Sequence, residues 1–459
     1  MVSPSAVAPR AFRAAQPIKQ LVQKRGFAAP ASGSFTYETG DAAGVKYASR
    51  DLPAATTTLA VVAKAGSRYQ PSPAFSDALE KFAFKSTYKR SALRITRESE
   101  LLGGELSANH TRELLVLRAR FMKEDLPYFT ELMGEVISKT RFTAHELSEE
   151  VEHVMKLDQK GLLGSPANLA INSVHGVAFH HGLGTPTNAT SSSPFKKYLD
   201  AQAIADFADV AYSRKNIAVV ANGADHQEFA KWVKEFFQDT KSGSDVYKLN
   251  EEPTKYYGGE ERIAHASGNV MILAFPGSSS FTSGQSFKPE IQVLATLLGG
   301  QSSIKWSSGF SMLSKATADI PFAHVTTRNH AYSDAGLLTV TITGTSSHIA
   351  KASKAVVDTL KSVASGNVTD EDIAKATALA RFRALSEGQQ TEAGIEATGM
   401  GLILNSQPYQ IDELGQKIAK VTPDQVKSAA KSLLEQRASV SSVGDLFVLP
   451  WAADIGLKV

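Results

Sequence analysis

Hydrophobic and polar positions follow one fixed succession of patterns along the first half of the chain. An apolar run at 57–66 predicts a buried strand, and helical spacing of apolar positions follows at 75–85. Two alternating runs within 103–121 predict a strand pair, and helical periodicity returns at 126–140 and again at 143–161. The first half therefore predicts strands followed by paired helices.

The second half repeats this succession. A strand is predicted at 269–277, a helix at 288–300, a strand pair at 322–343, and helices at 348–365 and 369–387. We interpret the repetition as an internal duplication of an α/β unit. It predicts an α+β protein of two homologous α/β domains, each a mixed β-sheet covered by helices.

The helix starts support this matching of the two halves. Thr143 with Glu146 predicts a capping box at the start of one helix, and Thr369 with Asp372 is its weaker counterpart in the second half. A polar, Gly- and Pro-bearing stretch at 241–262 predicts a linker. We expect the two domains at 35–240 and 263–459.

Composition narrows the possible chemistry. Hydrophobic residues make up 42% and charged residues 21% of the 459 residues, a balance typical of folded proteins. The chain has no cysteine, so only histidine and carboxylate side chains remain as candidates for a metal site. Apolar stretches such as 59–63 and 270–275 are much shorter than a membrane-spanning helix requires.

Charge is unevenly distributed along the chain. The first 27 residues contain five basic residues and no acid: Arg10, Arg13, Lys19, Lys24 and Arg25. This composition is typical of a mitochondrial transit peptide, and we expect cleavage after Phe27. The whole chain has 49 basic and 46 acidic residues. When the five basic residues of the N-terminus are left out, acidic residues are in the majority. Nucleic-acid binding therefore lacks electrostatic support.

The helix predicted at 75–85 raises a specific question. Positions i, i+3 and i+4 share one helix face, and here they hold Asp77, Glu80 and Lys81. Two histidines at the outer positions would give H-x-x-E-H, the inverted zinc-peptidase motif in which the glutamate activates a metal-bound water. A protonated ammonium has no lone pair, so Lys81 cannot serve as a zinc ligand.

Several motifs occur together in an order that resembles a known family. The segments "AGSRYQ", "FSDALEKFAFKST" and "GGELSANHTRE" are similar to those of the pitrilysin-type metallopeptidases, the family of the mitochondrial processing peptidase. The resemblance runs from about residue 35 to the C-terminus. It implies a third zinc-ligand position at Leu157, with Glu150 on the same helix where the family keeps a carboxylate. It also places Leu338 and Thr345 where active members carry an Arg and a Tyr.

The zinc-site positions Asp77, Glu80, Lys81 and Leu157 thus form a degenerate motif. We expect no catalytic residue, no metal and no cofactor in this chain, and we expect an ion pair between Asp77 and Lys81 at i, i+4. An active metallopeptidase is the disfavoured alternative.

Two other segments are weaker candidates for a functional site. His145, Glu149 and His153 stand at i, i+4 and i+8 and could place three metal ligands on one helix face, but residues of these types at a helix start more often form a solvated face, which is the favoured interpretation. The segment 297–315 lacks the phosphate-loop pattern. It stands where the resemblance places a glycine-rich presequence loop, and only Gly299, Gly300 and Gly309 are present.

Within the family, the chain resembles the metal-less core subunits of the mitochondrial cytochrome b-c1 complex, respiratory complex III. That resemblance implies a structural role in assembly and stability of the complex that transfers electrons from ubiquinol to cytochrome c. It implies a core protein 1 homologue, cytochrome b, cytochrome c1 and the Rieske subunit as partners, with a possible remnant presequence peptide. It also implies a peripheral position at the matrix side of the inner membrane. The alternatives are a presequence-binding subunit of the processing peptidase and a scaffold unrelated to respiration.

Overall fold

The structure is a computed structural model that describes residues 35–190, 192–243, 248–249, 251–283, 286–301 and 309–459. The predicted transit peptide at 1–27 and residues 302–308 of the glycine-bearing segment lie outside the described residues. No helix in the described part of the chain is both long enough and apolar enough to cross a membrane.

The first half of the chain builds a six-stranded mixed sheet. Its strands are β1 (Glu38–Ala42), β2 (Val45–Arg50), β3 (Thr56–Ala63), β4 (Glu105–His110), β5 (Leu115–Met122) and β6 (Ile217–Asn222). They lie in the order β1-β2-β6-β3-β5-β4. Strands β2 and β6 pair in parallel, and every other neighbouring pair is antiparallel.

The second half builds a five-stranded sheet with the same topology. Its strands are β7 (Gly259–Ala264), β8 (Asn269–Pro276), β9 (Ala323–Ala331), β10 (Gly336–Gly344) and β11 (Ser439–Gly444). Their order is β7-β11-β8-β10-β9, again with one parallel pair, β7 with β11. Apart from β1, each strand of the first sheet has a counterpart in the second. The predicted duplication and the α+β fold are confirmed.

Helices connect and cover both sheets. In the first half they are α1 (Phe75–Phe82), α2 (Ala92–Leu101), α3 (Leu126–Lys139), α4 (Ala144–Glu146), a π-helical turn (Leu147–Val151), α5 (Glu152–Gly164), α6 (Pro166–Phe179), α7 (Ala201–Ala211) and α8 (His226–Phe236). In the second half they are α9 (Pro289–Leu298), α10 (Met312–Ala316), α11 (Ser346–Ala364), α12 (Asp370–Glu387), α13 (Ile395–Asn405), α14 (Ile411–Ala419) and α15 (Pro423–Glu435). Short 3₁₀ turns occur at Lys123–Asp125, Gly182–Gly184, Phe195–Lys197, Arg214–Asn216 and Phe281–Ser283.

Each sheet has a main hydrophobic core on one face, formed with helices of its own half. Leu117 of β5 and Phe207 of α7 are completely buried in the first core, and Leu273 of β8 and Val356 of α11 are completely buried in the second. The central strands β3 and β8 are buried along nearly their whole length, which agrees with the continuous apolar runs that predicted them.

The opposite face of each sheet is covered by a helix from the other half. Helix α13, with Ile395 and Met400, packs on the first sheet, and helix α6, with Val174, packs on the second. The approach of α13 is close, since a Cβ at Gly399 would lie 2.5 Å from the side chain of Val62. The halves therefore interlock, an arrangement that helical periodicity alone did not predict.

A buried ionic cluster also joins the halves. Arg68, from the "AGSR" motif, donates to Glu113 at 2.8 Å and makes two bonds of 2.7 Å to the carboxylate of Asp334 in the β9–β10 turn. Glu113, from the "TRE" motif, accepts the backbone N–H of Ser333 at 2.8 Å. Two residues that carried the family resemblance thus hold the second half against the first.

The capping prediction for Thr143 and Glu146 is wrong. The Thr143 hydroxyl lies 2.6 Å from Oε2 of Glu146, and Oε1 of Glu146 accepts the backbone N–H of Ser86 at 3.2 Å, so the carboxylate ties this helix start to the α1–α2 connection instead. The weaker counterpart does cap its helix, because the Thr369 hydroxyl accepts the backbone N–H of Asp372 at 3.1 Å.

The predicted domain limits at 35–240 and 263–459 stay predictions. Strand β7 begins at Gly259, inside the segment predicted as a linker.

Candidate functional site

Helix α1 carries the degenerate motif and begins abruptly. Ala74 precedes it in a left-handed conformation, with φ of 86°, and directs the chain from the preceding loop into the helix. Phe75, Ala78, Leu79 and Phe82 bury one face of α1 in the first core. This leaves the face of Asp77, Glu80 and Lys81 directed toward β4 and α5, where an active family member would hold its metal.

Lys81 lies in an ion-pair network, although not with the predicted partner. Its ammonium nitrogen is 2.7 Å from Oε1 of Glu80 and 2.9 Å from Oδ2 of Asp158 on α5. Partial burial by itself lowers the pKa of Lys81, but the two carboxylates outweigh that effect and raise it. The expected pair between Asp77 and Lys81 is therefore wrong, because the lysine side chain reaches across to α5 instead.

Glu80 also holds a buried histidine. Its Oε2 accepts the backbone N–H of His110 at 2.9 Å and contacts Nδ1 of the His110 ring. The other ring nitrogen, Nε2, lies 2.9 Å from the carbonyl oxygen of Thr187. Since both ring nitrogens face acceptors, this environment favours the imidazolium form, in which both nitrogens donate.

The pKa shifts agree with this assignment. Burial alone lowers the pKa of His110, but the carboxylate of Glu80 outweighs burial and raises it. Burial raises the pKa of Glu80, whereas the contacts with His110 and Lys81 bring it down to about 2. The site thus places two cations, an ammonium and an imidazolium, around one carboxylate.

Asp77 is the unpaired member of the site. Its side chain is 1% exposed, and neither carboxylate oxygen has a hydrogen-bond partner among the described residues. Burial raises the pKa of Asp77 to about 6, with the neighbouring His110 and Lys81 acting in the opposite direction. A buried carboxyl without a partner is expensive to ionise, which explains the direction of the shift.

Leu157, the predicted third ligand position, lies on α5, and Glu150 lies on the π turn that precedes α5. Leu157 is 52% exposed and offers no donor atom. Glu150, the carboxylate that supported the register, pairs with Lys85 instead of facing the network. Leu157 as the third ligand position remains a prediction, as do the other degenerate positions.

These residues do not fit a zinc ion. The ammonium of Lys81 lies on the motif face of α1, His110 is already bonded to Glu80, and Leu157 supplies no lone pair. Within the described residues, no three His, Asp or Glu side chains are grouped so that they could hold a metal ion.

The other residues that the sequence analysis singled out lie outside the Lys81 network. His145, Glu149 and His153 are exposed, and the π turn at Leu147–Val151 lies between the two histidines, so the simple i, i+4 register does not apply. Leu338 is fully buried in β10. Thr345 stands at the N-cap position of α11.

Sequence reasoning missed His110, Asp158 and Thr187. A signal for Asp158 was present, since a lysine on a largely buried helix needs an acidic partner and Asp158 adjoins Leu157 on the facing helix. No comparable signal marked the Thr187 carbonyl, because it belongs to a loop that only the tertiary fold brings to β4.

A duplicated pitrilysin-type fold with Lys81 at the predicted zinc-ligand position is typical of a catalytically degenerate peptidase homologue. The sequence profile of the insulinase family, peptidase family M16, matches residues 46–191, and that of the M16 inactive domain matches residues 198–379. The chain therefore belongs to the M16 peptidase family.

Among its relatives are proteins named cytochrome b-c1 complex subunit 2, mitochondrial. The one from Neurospora crassa is 49% identical over 448 residues, spanning 97% of this chain and 96% of the relative. The one from Schizosaccharomyces pombe is 38% identical over 413 residues, spanning 89% and 92%. The mitochondrial-processing peptidase subunit alpha of Solanum tuberosum is 24% identical over 417 residues, spanning 89% and 81%.

Proposed function

We propose that this chain is a non-catalytic structural subunit of ubiquinol-cytochrome c reductase, respiratory complex III, in the position of core subunit 2. It contributes to assembly and stability of the complex that transfers electrons from ubiquinol to cytochrome c. The relatives named as subunit 2 align with nearly the whole chain, which supports a shared role.

One observation carries the non-enzymatic assignment. The ammonium of Lys81 lies between Glu80 and Asp158, at 2.7 and 2.9 Å, where a peptidase of this family needs a zinc ligand. Without a metal-bound water, Glu80 has nothing to activate, and its own proton affinity is too low for a general base. A fold can keep its interaction surfaces after its chemistry is lost.

The finer parts of the proposal concern location and partners. The chain carries a transit peptide at 1–27 and acts in mitochondria, peripheral to the inner membrane on the matrix side. It pairs with a core protein 1 homologue and supports cytochrome b, cytochrome c1 and the Rieske subunit. A remnant presequence peptide is a further partner. The acid-free N-terminus and the likeness to the subunit 2 proteins support these statements.

Affinity purification tests the proposal. We expect a C-terminally tagged chain, recovered from mitochondria in mild detergent, to bring down cytochrome b, cytochrome c1 and the Rieske protein. Recovery of a soluble partner with an intact H-x-x-E-H motif, and without cytochromes, would contradict it. That result would favour the presequence-binding subunit of the processing peptidase, which the similarity to the potato alpha subunit keeps as the second candidate.

A further inference from the structure

A buried arginine without an acidic partner lies where the two halves meet. Arg112 is 6% exposed, and its guanidinium donates to the carbonyl oxygens of Leu183 and Thr185 at 2.9 and 2.6 Å. It also donates to Oδ1 of Asn172 on α6 at 2.7 Å. In the part of the chain that the structure describes, Arg112 forms no ion pair, and an arginine stays protonated even when it is buried. A permanent and uncompensated positive charge therefore lies beside α6.

Two histidines from opposite halves meet close to this charge. His175 of α6, in the first half, is 1% exposed. His330 of β9, in the second half, is partly buried, and its ring centroid lies 5.4 Å from that of His175. The pairing of His330 with Leu337 places its side chain on the face of the second sheet that α6 covers. We call the group of Arg112, His175, His330 and Tyr332 the histidine contact.

The hydrogen bonds of His175 favour its neutral form. Its Nδ1 lies 2.6 Å from the carbonyl oxygen of Ile171, which can only accept, so Nδ1 carries the proton. Its Nε2 lies 2.7 Å from the Tyr332 hydroxyl, and in the neutral ring Nε2 accepts the proton of that hydroxyl. A second proton, on Nε2, would force Tyr332 to turn its O–H away. The bond that Tyr332 donates from the second half to the first would then be lost.

The charged groups around the two rings do not favour a second proton either. Acidic side chains of the elements packed around the histidine contact have other partners, as is the case for Glu113, Asp334 and Glu261. The first two bind Arg68, and Glu261 of β7 accepts the hydroxyl proton of Ser173 on α6. The charges that act on the histidines are instead those of Arg112 and, for His330, also of Arg328. Protonation of both rings would therefore collect several cations in one buried place.

The pKa values of both histidines follow from this environment. Burial lowers the pKa of His175 well below its ordinary value of 6.5, and the charge of Arg112 lowers it further. Burial, together with Arg328 and Arg112, lowers the pKa of His330 to about 4. An open arrangement, in which the rings meet water, binds more protons than the closed one. The closed arrangement therefore loses stability as pH falls from about 6.5 toward about 4.

We infer that the histidine contact is a pH-dependent switch between the two halves: at neutral pH it holds the end of β9 against α6, and protonation of His175 and His330 beside Arg112 opens it while both main cores stay folded. The two main cores contain none of these groups, so they need not unfold when the contact opens. The inference goes beyond the proposed role in complex III and does not depend on it.

Hydrogen exchange of the full, unaltered chain at pH 7 and pH 5 tests the inference. The backbone N–H of Ser333 donates across the halves to Glu113 at 2.8 Å, so its exchange reports whether the contact is closed. With exchange corrected for its intrinsic pH dependence, we expect the protection of Ser333 to fall at least about tenfold at pH 5. Leu117 of β5 and Val340 of β10 belong to the main cores, and their amides should keep their protection.

Variants assign the effect to the histidines. His175→Gln with His330→Gln removes both titrating rings and keeps polar side chains, so the protection of Ser333 should fall less than about threefold between the two pH values. His153→Gln is the matched control, because His153 is exposed on α5, and it should keep the tenfold fall. Arg328→Gln removes a cation that acts on His330 from an exposed position on β9, and it should move the fall to lower pH.

Several results would each overturn the inference. One is unchanged protection of Ser333 at pH 5, and another is an equal loss at Leu117 and Val340, which indicates global unfolding. A third is the same tenfold fall in the double variant, which would assign the effect to Glu113, a carboxyl whose pKa is raised by burial. If the double variant does not fold, Arg328→Gln decides the question, and a fall at the same pH as in the unaltered chain would contradict the inference.

Discussion

At the scale of single residues, the candidate site shows how a lysine is accommodated on a largely buried helix. The ammonium of Lys81 would repel a metal cation, and it pairs with Glu80 and Asp158, which would otherwise repel each other. His110 provides the second positive charge. The face of α1 that carries the predicted motif forms an ion-pair network with β4 and α5.

Asp77 should make stability depend on pH in an unusual direction. Its pKa is raised from an ordinary value of 3.8 to about 6, so the folded state holds the proton more tightly than the unfolded state. Stability therefore falls as pH rises from about 4 to about 6, by at most about 3 kcal/mol for this group. We expect Asp77→Asn to gain stability relative to the unaltered chain across that window and to hold a constant advantage above it.

Urea denaturation at several pH values measures this difference. Asp370→Asn, at the exposed start of α12, serves as the control for loss of a surface carboxylate. If the difference in free energy of unfolding between Asp77→Asn and the unaltered chain does not change with pH, the Asp77 carboxyl is ionised at little cost.

Restoring the ligands should restore zinc binding. We expect the triple variant Asp77→His, Lys81→His, Leu157→Glu to bind one zinc ion, since it supplies two imidazoles and a carboxylate on facing helices. Metal analysis after dialysis, with the unaltered chain as reference, measures this. The double variant without Leu157→Glu is the informative control: if it retains zinc as firmly as the triple variant, Leu157 is not the third ligand position.

At the scale of elements, each half contributes one helix that packs on the sheet of the other half. The main apolar face of α6 and α13 meets a sheet built from the opposite half, and α13 approaches closely enough that glycine is required at its contact. Helices α1 and α9 instead remain with their own sheets.

A pair of glycine substitutions tests that contact. A methyl group at Gly399 would lie 2.5 Å from Val62, so Gly399→Ala should destabilise the protein by about 1–3 kcal/mol through overpacking. Gly161 of α5 has no atom within 4 Å of a new Cβ, so Gly161→Ala should instead stabilise by up to about 1 kcal/mol. Thermal unfolding distinguishes the two, and a similar shift for both would show that the α13 contact is not as close as described.

At the scale of the whole molecule, Arg68 and Glu113, which belong to the motifs that resemble the family, form contacts between the two halves. Arg68 and Glu113 are 6% and 4% exposed, so they form a desolvated pair that depends on its partners in the β9–β10 turn. Interlocked helices and this cluster make the two repeats one mechanical unit, which suits a structural subunit.

Loss of Arg68 should weaken the joint strongly. Arg68→Met leaves the buried Glu113 without its cation, and we expect a loss of about 3–5 kcal/mol together with earlier proteolysis between the halves. Arg118→Met is the matched control, since Arg118 also bridges the halves, but to Glu392 and Glu396, which are 45% and 44% exposed. It should cost no more than about 1 kcal/mol. Calorimetry of both variants measures the effect, and equal losses would contradict the assignment.

Much of the fold was predictable because its signals are local. The continuous apolar run at 57–66 predicted a buried strand, and the helical periods at 126–140 and 369–387 predicted helices; the structure confirms those elements. The repeated order of patterns predicted the duplication. The capping prediction at Thr143 failed because a tertiary contact, the Ser86 N–H, competed for the Glu146 carboxylate.

The sequence by itself determined the absence of thiol chemistry, the duplicated α+β fold and the unsuitability of Lys81 for zinc, because these depend on residue types and short-range spacing. Only the tertiary structure decided that Lys81 pairs with Asp158 and not Asp77, that His110 is bonded to Glu80, and that α6 and α13 each pack on the sheet of the opposite half. Each of these depends on contacts between residues far apart in the chain, whose distances no local pattern specifies.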